Sequence, residues 1–324
     1  MQEITFLAYD TMCRVAADLA PGQEHVLARV QESAREVEAR LSMFDPDSEL
    51  SHLCRDYTPG IPVPVSDLLC DFLACNLDIC RRSGGAFDPT VGPLIKLWDF
   101  LRDTPEIPSD QAIAACLERV GYSHLTLDRT QKTVTFDRPG IGLDPGASGK
   151  GYALGLAVDI LRAAGVSNGV IDYGGNLFVL GQKQDERTGQ KRPWKVAVRD
   201  PENPASVFGT VSLAGQGIAT SSWYEHGFEK DGVIYHHLLD PRTGRPHPLS
   251  IQSVSILSTC AVFTDLLSTA FFLLGVEQGT QLVRSLATES GERIDFVAVL
   301  EDGSIVATEG AGFFPRDQRT VRQI

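Results

Sequence analysis

The chain predicts an α+β fold, with mixed and antiparallel sheets covered by packed helices. Three observations lead there. Amphipathic helical segments and β-branched runs share the sequence without the strict alternation of a doubly wound sheet. Turn residues chop the middle of the chain into many short strands. The run Ala261–Gly275 is apolar almost all round, the mark of a buried helix rather than a surface one. With 324 residues, 43% hydrophobic and 22% charged, the composition is ordinary for a globular protein, and the length allows one large domain or two intimate ones.

In order along the chain, Val26, Leu27, Val30, Ala34, Val37 and Leu41 recur at a helical period, which predicts an amphipathic helix over about Gly22–Leu41. A Ser66 cap opens a second helix through Leu69, Phe72, Leu73 and Cys80, ending near Gly84-Gly85. Gln111–Arg119 reads as a third. Strands follow at His124–Asp128 and Thr133–Phe136, then a loop and a helix from about Gly151 to Ala164. Gly169–Asp172, Leu177–Leu180, Lys195–Arg199, Val207–Leu213, Val233–Leu239 and Gln252–Leu257 read as strands. Beyond the buried helix come another helix near Gln278–Leu286 and the strands Asp295–Leu300 and Ser304–Ala307. No internal repeat or low-complexity linker interrupts this order.

A formal charge of −13 argues against wholesale binding to a phosphate backbone, so nucleic acid is not an expected partner, although a local phosphate pocket remains open. The N-terminus lacks a basic region and an apolar stretch of signal-peptide length, and no segment reads as the roughly 20 apolar residues of a membrane span. A cytoplasmic location is the expectation if Met1 is the native start. Seven cysteines without paired spacing read as reduced thiols; Cys70, Cys75 and Cys80, five apart, spread around a helix instead of gathering for a metal.

Several segments carry possible chemistry. Asp265 and Thr269, four residues apart on the buried helix, share one face at about 5–6 Å between Cβ atoms. A buried carboxylate is costly unless a cation or donors compensate it, and hard cations take all-oxygen ligands. The bland alternative is a helix cap by Thr264 or Asp265. The loop Leu143–Tyr152 (Leu-Asp-Pro-Gly-Ala-Ser-Gly-Lys-Gly-Tyr) lies between a strand and a helix, where small residues allow close approach of a ligand, free N–H groups meet an anion and Lys150 adds a point charge. It is not a Walker A loop, because Asp144 takes the first glycine position and Gly151 replaces the Ser/Thr. Ser83–Pro93 ends a helix in a glycine-rich bend, where Phe87 and Asp88 either meet a ring and its polar edge or belong to a helix C-cap and turn. His236 and His237 precede an Asp-Pro turn and point to opposite faces of a strand, so at most one reaches a given site. Such a histidine is either structural or a general base. Gly174-Gly175 marks a close backbone approach or a bulge.

In this order, Ser48-Glu-Leu50, Gly85–Thr90, Asp144–Tyr152, Gly174-Gly-Asn176, Thr220-Ser-Ser222, His237–Gly244 and Thr264–Ala270 resemble the motif series of the ApbE family, the FAD:protein FMN transferases. The resemblance spans nearly the whole chain. It implies a T-fold-like α+β architecture and a single domain over residues 1–324, with a cleft between an N-terminal helical part and a C-terminal β-rich part. It implies Mg²⁺ held by the Ala147 carbonyl, Asp265 and Thr269, and FAD contacted by Phe44, Ala86, Phe87, Asp88, Asp144, Lys150 and Leu238. His237 matches the family's catalytic histidine, with Asp265 beside it in the catalytic set.

The implied reaction is Mg²⁺-dependent transfer of FMN from FAD to a Ser or Thr hydroxyl of an acceptor flavoprotein, with AMP released. The alternatives are an Mg²⁺-dependent FAD pyrophosphatase that uses water and yields FMN plus AMP, and a non-catalytic FAD-binding protein. Four places depart from the family pattern: Tyr9-Asp-Thr11 for Met-Gly-Thr, Cys54 for Asn, Pro145 and Gly149 for Leu and Ala, and Ser222 for Gly.

Overall fold

A computed structural model describes residues 1–184, 188–316 and 318–324. Its largest element is a nine-stranded sheet in the order Gln2–Ala8, Thr11–Ala17, Gly169–Tyr173, Asn176–Leu180, Gly217–Ser222, Ile251–Ser258, Ile294–Leu300, Ile305–Ala307 and Val321–Gln323. Neighbours are antiparallel except the last pair, which is parallel. The expected class, mixed sheets with packed helices, is therefore the one observed.

The chain divides into two units, each built from separate stretches of sequence: residues 1–36, 150–222 and 250–324 in the first, 37–149 and 223–249 in the second. The first holds the nine-stranded sheet and a three-stranded one, Trp194–Asp200, Asn203–Leu213 and Phe314–Pro315. Their facing side chains, among them Val198, Phe208, Val211, Ile218, Leu257 and Val297, form a buried cluster. The helix Ala261–Ser290 packs on Gly217–Ser222 and Ile251–Ser258. It is long and apolar enough, by length and composition, to cross a membrane, yet most of its apolar window is buried in the protein, as a core helix requires. The sequence suggested two helices here. The structure runs one through both, kinked where Gly275 leaves helical geometry at φ 75°.

The second unit is mainly helical, with Glu49–Asp56, Asp67–Arg82, Gly92–Trp98 and Asp110–Leu117 beside the small sheet Val63–Pro64, Leu125–Asp128 and Thr133–Phe136. Ser48, Ser66 and Ser109 cap three of these helices by accepting the N–H three residues on. Trp98, Leu94, Ile113, Cys116 and Leu239 form its core. The predicted strand Val233–Leu239 is broken: Val233–His236 pairs with Gly227–Lys230, and Leu239–Asp240 pairs with Arg245–Pro246. The break follows from His236, whose buried ring accepts the Leu238 N–H at 3.3 Å and so turns the chain between the two ladders. Helices Glu49–Asp56 and Gly92–Trp98 and the N-terminal hairpin were not foreseen. The hairpin lacks the Asn-Gly signal, because its turn is Tyr9-Asp10, with φ of 55° and 53° at the two residues.

Positive φ at a residue with a side chain costs about 1–2 kcal/mol. Tyr9 offsets this by donating its hydroxyl to Ala34 O at 2.6 Å and packing beside Tyr173, 6.0 Å between ring centroids. Asp10 is exposed and has no comparable anchor in its side-chain packing. Asp10→Gly should therefore raise the unfolding free energy by about 0.5–1 kcal/mol, seen as a higher urea midpoint at unchanged slope.

Candidate active site

Asp265 is buried, at 7% exposure, in the second turn of its helix. Cys260, not Thr264 or Asp265, stands at the N-cap of that helix, and Thr264 Oγ1 donates to Ala261 O at 2.7 Å, so the capping alternative fails for its own helix. The carboxylate serves a different helix. Asp265 Oδ2 accepts the Gly151 N–H at 2.8 Å, in the first turn of Gly149–Ala163, where unpaired N–H groups and the helix dipole favour an anion. Only glycine fits at 151, since a Cβ there would lie 2.4 Å from the Asp265 Cβ.

One turn on, Thr269 Oγ1 and Ser268 Oγ both meet Ser221 Oγ, at 3.0 and 2.8 Å, and Ser268 donates back to Asp265 O at 2.9 Å. Ser221 comes from the strand Gly217–Ser222, across which Thr220 and Ser255 pair their hydroxyls at 2.7 Å. The donor set around Asp265 is thus oxygen throughout, as a hard cation demands. Among the described residues, no group of three or more His, Cys, Asp or Glu side chains is placed to hold a metal ion.

In the second unit, Asp88 is buried, and both its oxygens are engaged. Oδ1 accepts from the Thr90 N–H and hydroxyl at 2.8 and 2.7 Å; Oδ2 accepts the Tyr122 N–H at 2.6 Å. Burial pushes its carboxyl above the usual range, against the pull of those donors. Asp88 therefore ties the Gly-Ala-Phe-Asp bend to the Gly121–Tyr122 turn. Ala86 and Phe87 are both buried, so any flavin contact from this bend must come through its backbone, not the Phe87 ring face. Phe44, by contrast, is 69% exposed. Asp144 accepts the Gly146 N–H at 2.8 Å and donates its own N–H to Pro89 O at 2.7 Å, and burial raises its carboxyl. Ala147 follows in a turn closed by Ser148 and Gly149 N–H groups on Pro145 O. Cys54 is a neutral thiol, pushed up to about 11 by burial.

The two histidines separate as their opposite faces require. His236 is fully buried; its Nε2 donates to His247 O at 2.9 Å, and burial lowers it to about 4, so it is a neutral structural ring. His237 is only half-buried, and its Nδ1 meets His226 O at 3.1 Å while its N–H donates to the same oxygen at 3.0 Å. That carbonyl selects the Nδ1–H tautomer and places the lone pair of the neutral ring on Nε2, the form of a general base. The hairpin carrying His237 is anchored by stacked rings: Phe228 on Tyr235 at 5.3 Å, Tyr235 on Trp98 at 5.9 Å and Trp98 on Phe100 at 5.5 Å. Leu238 is buried beside it. In the Asp-Pro turn, Asp240 is held by Arg242 at 2.8 and 2.9 Å, a structural use of that motif.

The expected residues therefore fall in two groups. Lys150, Asp265 and Thr269 belong to the first unit; Phe44, Ala86, Phe87, Asp88, Asp144, Ala147, His237 and Leu238 belong to the second. Sequence reasoning gave no role to Ser221, Ser268, Ser148 or Asn176. The Ser148 hydroxyl and the Asn176 amide nitrogen are buried and find no hydrogen-bond partner among the described residues, which suits ligand contacts. Both sit in motif segments, and a polar residue inside an otherwise buried turn was the available signal.

Known proteins resemble this chain in sequence and in fold. The ApbE family model matches residues 9–291. A FAD:protein FMN transferase from Treponema pallidum is 32% identical over 94% of this chain and 86% of its own length. One from Rhodobacter capsulatus is 37% identical over 80% of this chain but 48% of its own. A crystal structure of the Thermotoga maritima ApbE protein and a solved structure of the flavin transferase ApbE from Vibrio cholerae superpose with TM-scores of 0.82 and 0.80, at 28% and 26% identity. Each covers 95% of this chain, and the chain covers 97% and 98% of theirs.

Two outcomes follow from the site's packing. Gly151→Ala forces Asp265 and the helix start apart, and should cost about 1–3 kcal/mol of stability in urea denaturation. His236 binds a proton more readily unfolded, near 6.5, than folded, near 4, so stability falls as pH drops through that window. Between pH 7 and 5 the loss should be about 2 kcal/mol, and it should be absent from the pH dependence of His236→Phe.

Proposed function

The chain belongs to the ApbE family, and on that premise we propose that it transfers FMN from FAD to a Ser or Thr hydroxyl of an acceptor flavoprotein, releasing AMP. The observation that carries this reading is the Asp265 site: a buried carboxylate fixed to the first turn of Gly149–Ala163, one helical turn from the Thr269 hydroxyl. Asp265 and Thr269 fit Mg²⁺, with the Ala147 carbonyl as the third ligand the resemblance implies. Bound there, Mg²⁺ would neutralise charge on pyrophosphate oxygens.

The protein's own groups do the rest. Oδ2 of Asp265 is committed to Gly151, which orients the carboxylate and leaves Oδ1 for the cation. The Ser221 and Ser268 hydroxyls fix the Thr269 rotamer. Lys150 and the N–H groups opening its helix offer positive potential to phosphate. Phe44 presents an exposed ring suited to stacking on a flavin or adenine. His237 Nε2 takes the proton of the acceptor hydroxyl as that oxygen bonds to the FMN-side phosphorus. The bond from phosphorus to the bridging oxygen breaks, and AMP leaves with that oxygen. Positioning and electrostatics supply most of the rate in such a transfer.

Asp265→Ala should abolish FMN transfer, a loss of about 10²-fold or more, while His237→Ala should lower turnover and spare FAD affinity. Mass spectrometry of a co-expressed flavoprotein, checked for added FMN mass, reads the first; FAD titration reads the second. Retained transfer by Asp265→Ala refutes the ligand assignment. Free FMN plus AMP without any acceptor adduct identifies a pyrophosphatase instead.

A further inference from the structure

The outer face of the three-stranded sheet in the first unit is basic, in a chain whose net charge is −13. Its inner face is spent on the core, through Val196, Val198, Val211 and Leu213. On the outer face the strand Trp194–Asp200 exposes Lys195, Ala197 and Arg199, opposite Ser212, Thr210 and Val207. The third strand adds Phe314, 56% exposed and paired with Thr210, followed by exposed Arg316. The Lys195 ammonium lies 4.2 Å over the Phe314 ring and donates to Ser212 Oγ at 2.7 Å, so cation and ring form one preset surface.

The described residues of these three strands contain one acid, Asp200. It is buried and turned onto Arg319 at 2.5 Å. Glu202, just beyond, faces the same arginine. Lys195 and Arg199 therefore stand on a face with no carboxylate of its own strands to neutralise them.

We propose that this face docks an acidic segment of the protein acceptor. The inference rests on the reading that the chain modifies a protein. Within a Debye length of about 8 Å the local patch outweighs the distant negative charge, so a short acidic segment is attracted. An extended anionic surface, a membrane or a nucleic acid, also meets the remainder of a −13 chain and is repelled. The exposed Phe314 ring adds an apolar anchor beside Lys195, as protein-binding faces commonly have.

The test uses a fluorescein-labelled deca-glutamate peptide, followed by anisotropy at low ionic strength. The protein should bind it, and should not bind deca-glutamine or deca-lysine. The double variant Lys195→Glu/Arg199→Glu should bind about tenfold or more weakly, as should wild type at high salt. Both substituted side chains are exposed, and an unchanged thermal midpoint establishes that the variant is folded. Equal binding by the variant, or by deca-glutamine, overturns the proposal. So does variant-sensitive binding to phosphatidylserine vesicles without peptide binding, which would assign the face to lipid. FAD binding and FAD cleavage, measured on the same proteins, should not change between wild type and variant. If wild type handles no FAD, the transferase reading fails while the peptide result stands on its own.

Discussion

Much of this structure hangs on one buried carboxyl group. Burying a carboxylate costs several kcal/mol unless its environment repays it. Asp265 is repaid on one side by the first turn of Gly149–Ala163, through an N–H that would otherwise lack a partner. That bond needs the helix to approach the Asp265 Cβ so closely that residue 151 has no side chain. The small residues of the loop before Tyr152 then have a structural cause beside any chemical one. Ser221, Ser268 and Thr269 extend the same logic, each hydroxyl satisfied by the next, so the polar patch persists inside an apolar layer.

The second unit places its groups by another means. A stack of Phe228, Tyr235, Trp98 and Phe100 fixes the hairpin on which His237 rides, and the Trp98 indole N–H reaches Gly244 O at 2.8 Å to pin the following turn. Within that frame, neighbouring histidines take different fates because one faces the core and the other does not. His236 is held neutral by burial, and His237 keeps contact with solvent and a fixed tautomer.

The legible parts of the fold were those with strong periodicity. Thr133–Phe136 has the expected bounds, and the helix opened by Ser66 and the strand Gly169–Tyr173 lie within a residue or two of them, because a cap or an alternation marks each. The N-terminal hairpin was not legible: Tyr-Asp is a poor turn signal, and its conformation is held by Tyr9 contacts far away in sequence. The apolar run to Gly275 and the segment near Gln278–Leu286 read as two helices, yet one helix runs through both with a kink at Gly275. Asp265, Thr269 and the Lys150 loop were visible because polar residues stood out against apolar ones. Ser221 and Ser268 were not, since serines in a strand and a helix announce nothing until tertiary pairing brings them together. Asp88 was visible as a residue but not in its use, which depends on the Tyr122 N–H.

The interleaving of the two units bears on how the chain can be made. Strands from residues 2–17 end up in the same sheet as strands from 251–323, with the whole of residues 37–149 synthesised in between. The first hairpin therefore leaves the ribosome long before most of its sheet exists, and its Leu7 and Met12 side chains, exposed even in the finished protein, have nothing to shelter them. Pairings so distant in sequence are slow to form and leave aggregation-prone edges open meanwhile. Residues 37–149 carry the helices of the second unit but wait for Tyr235 and Leu239 to complete its core, and the last quarter of the chain is what closes the large sheet.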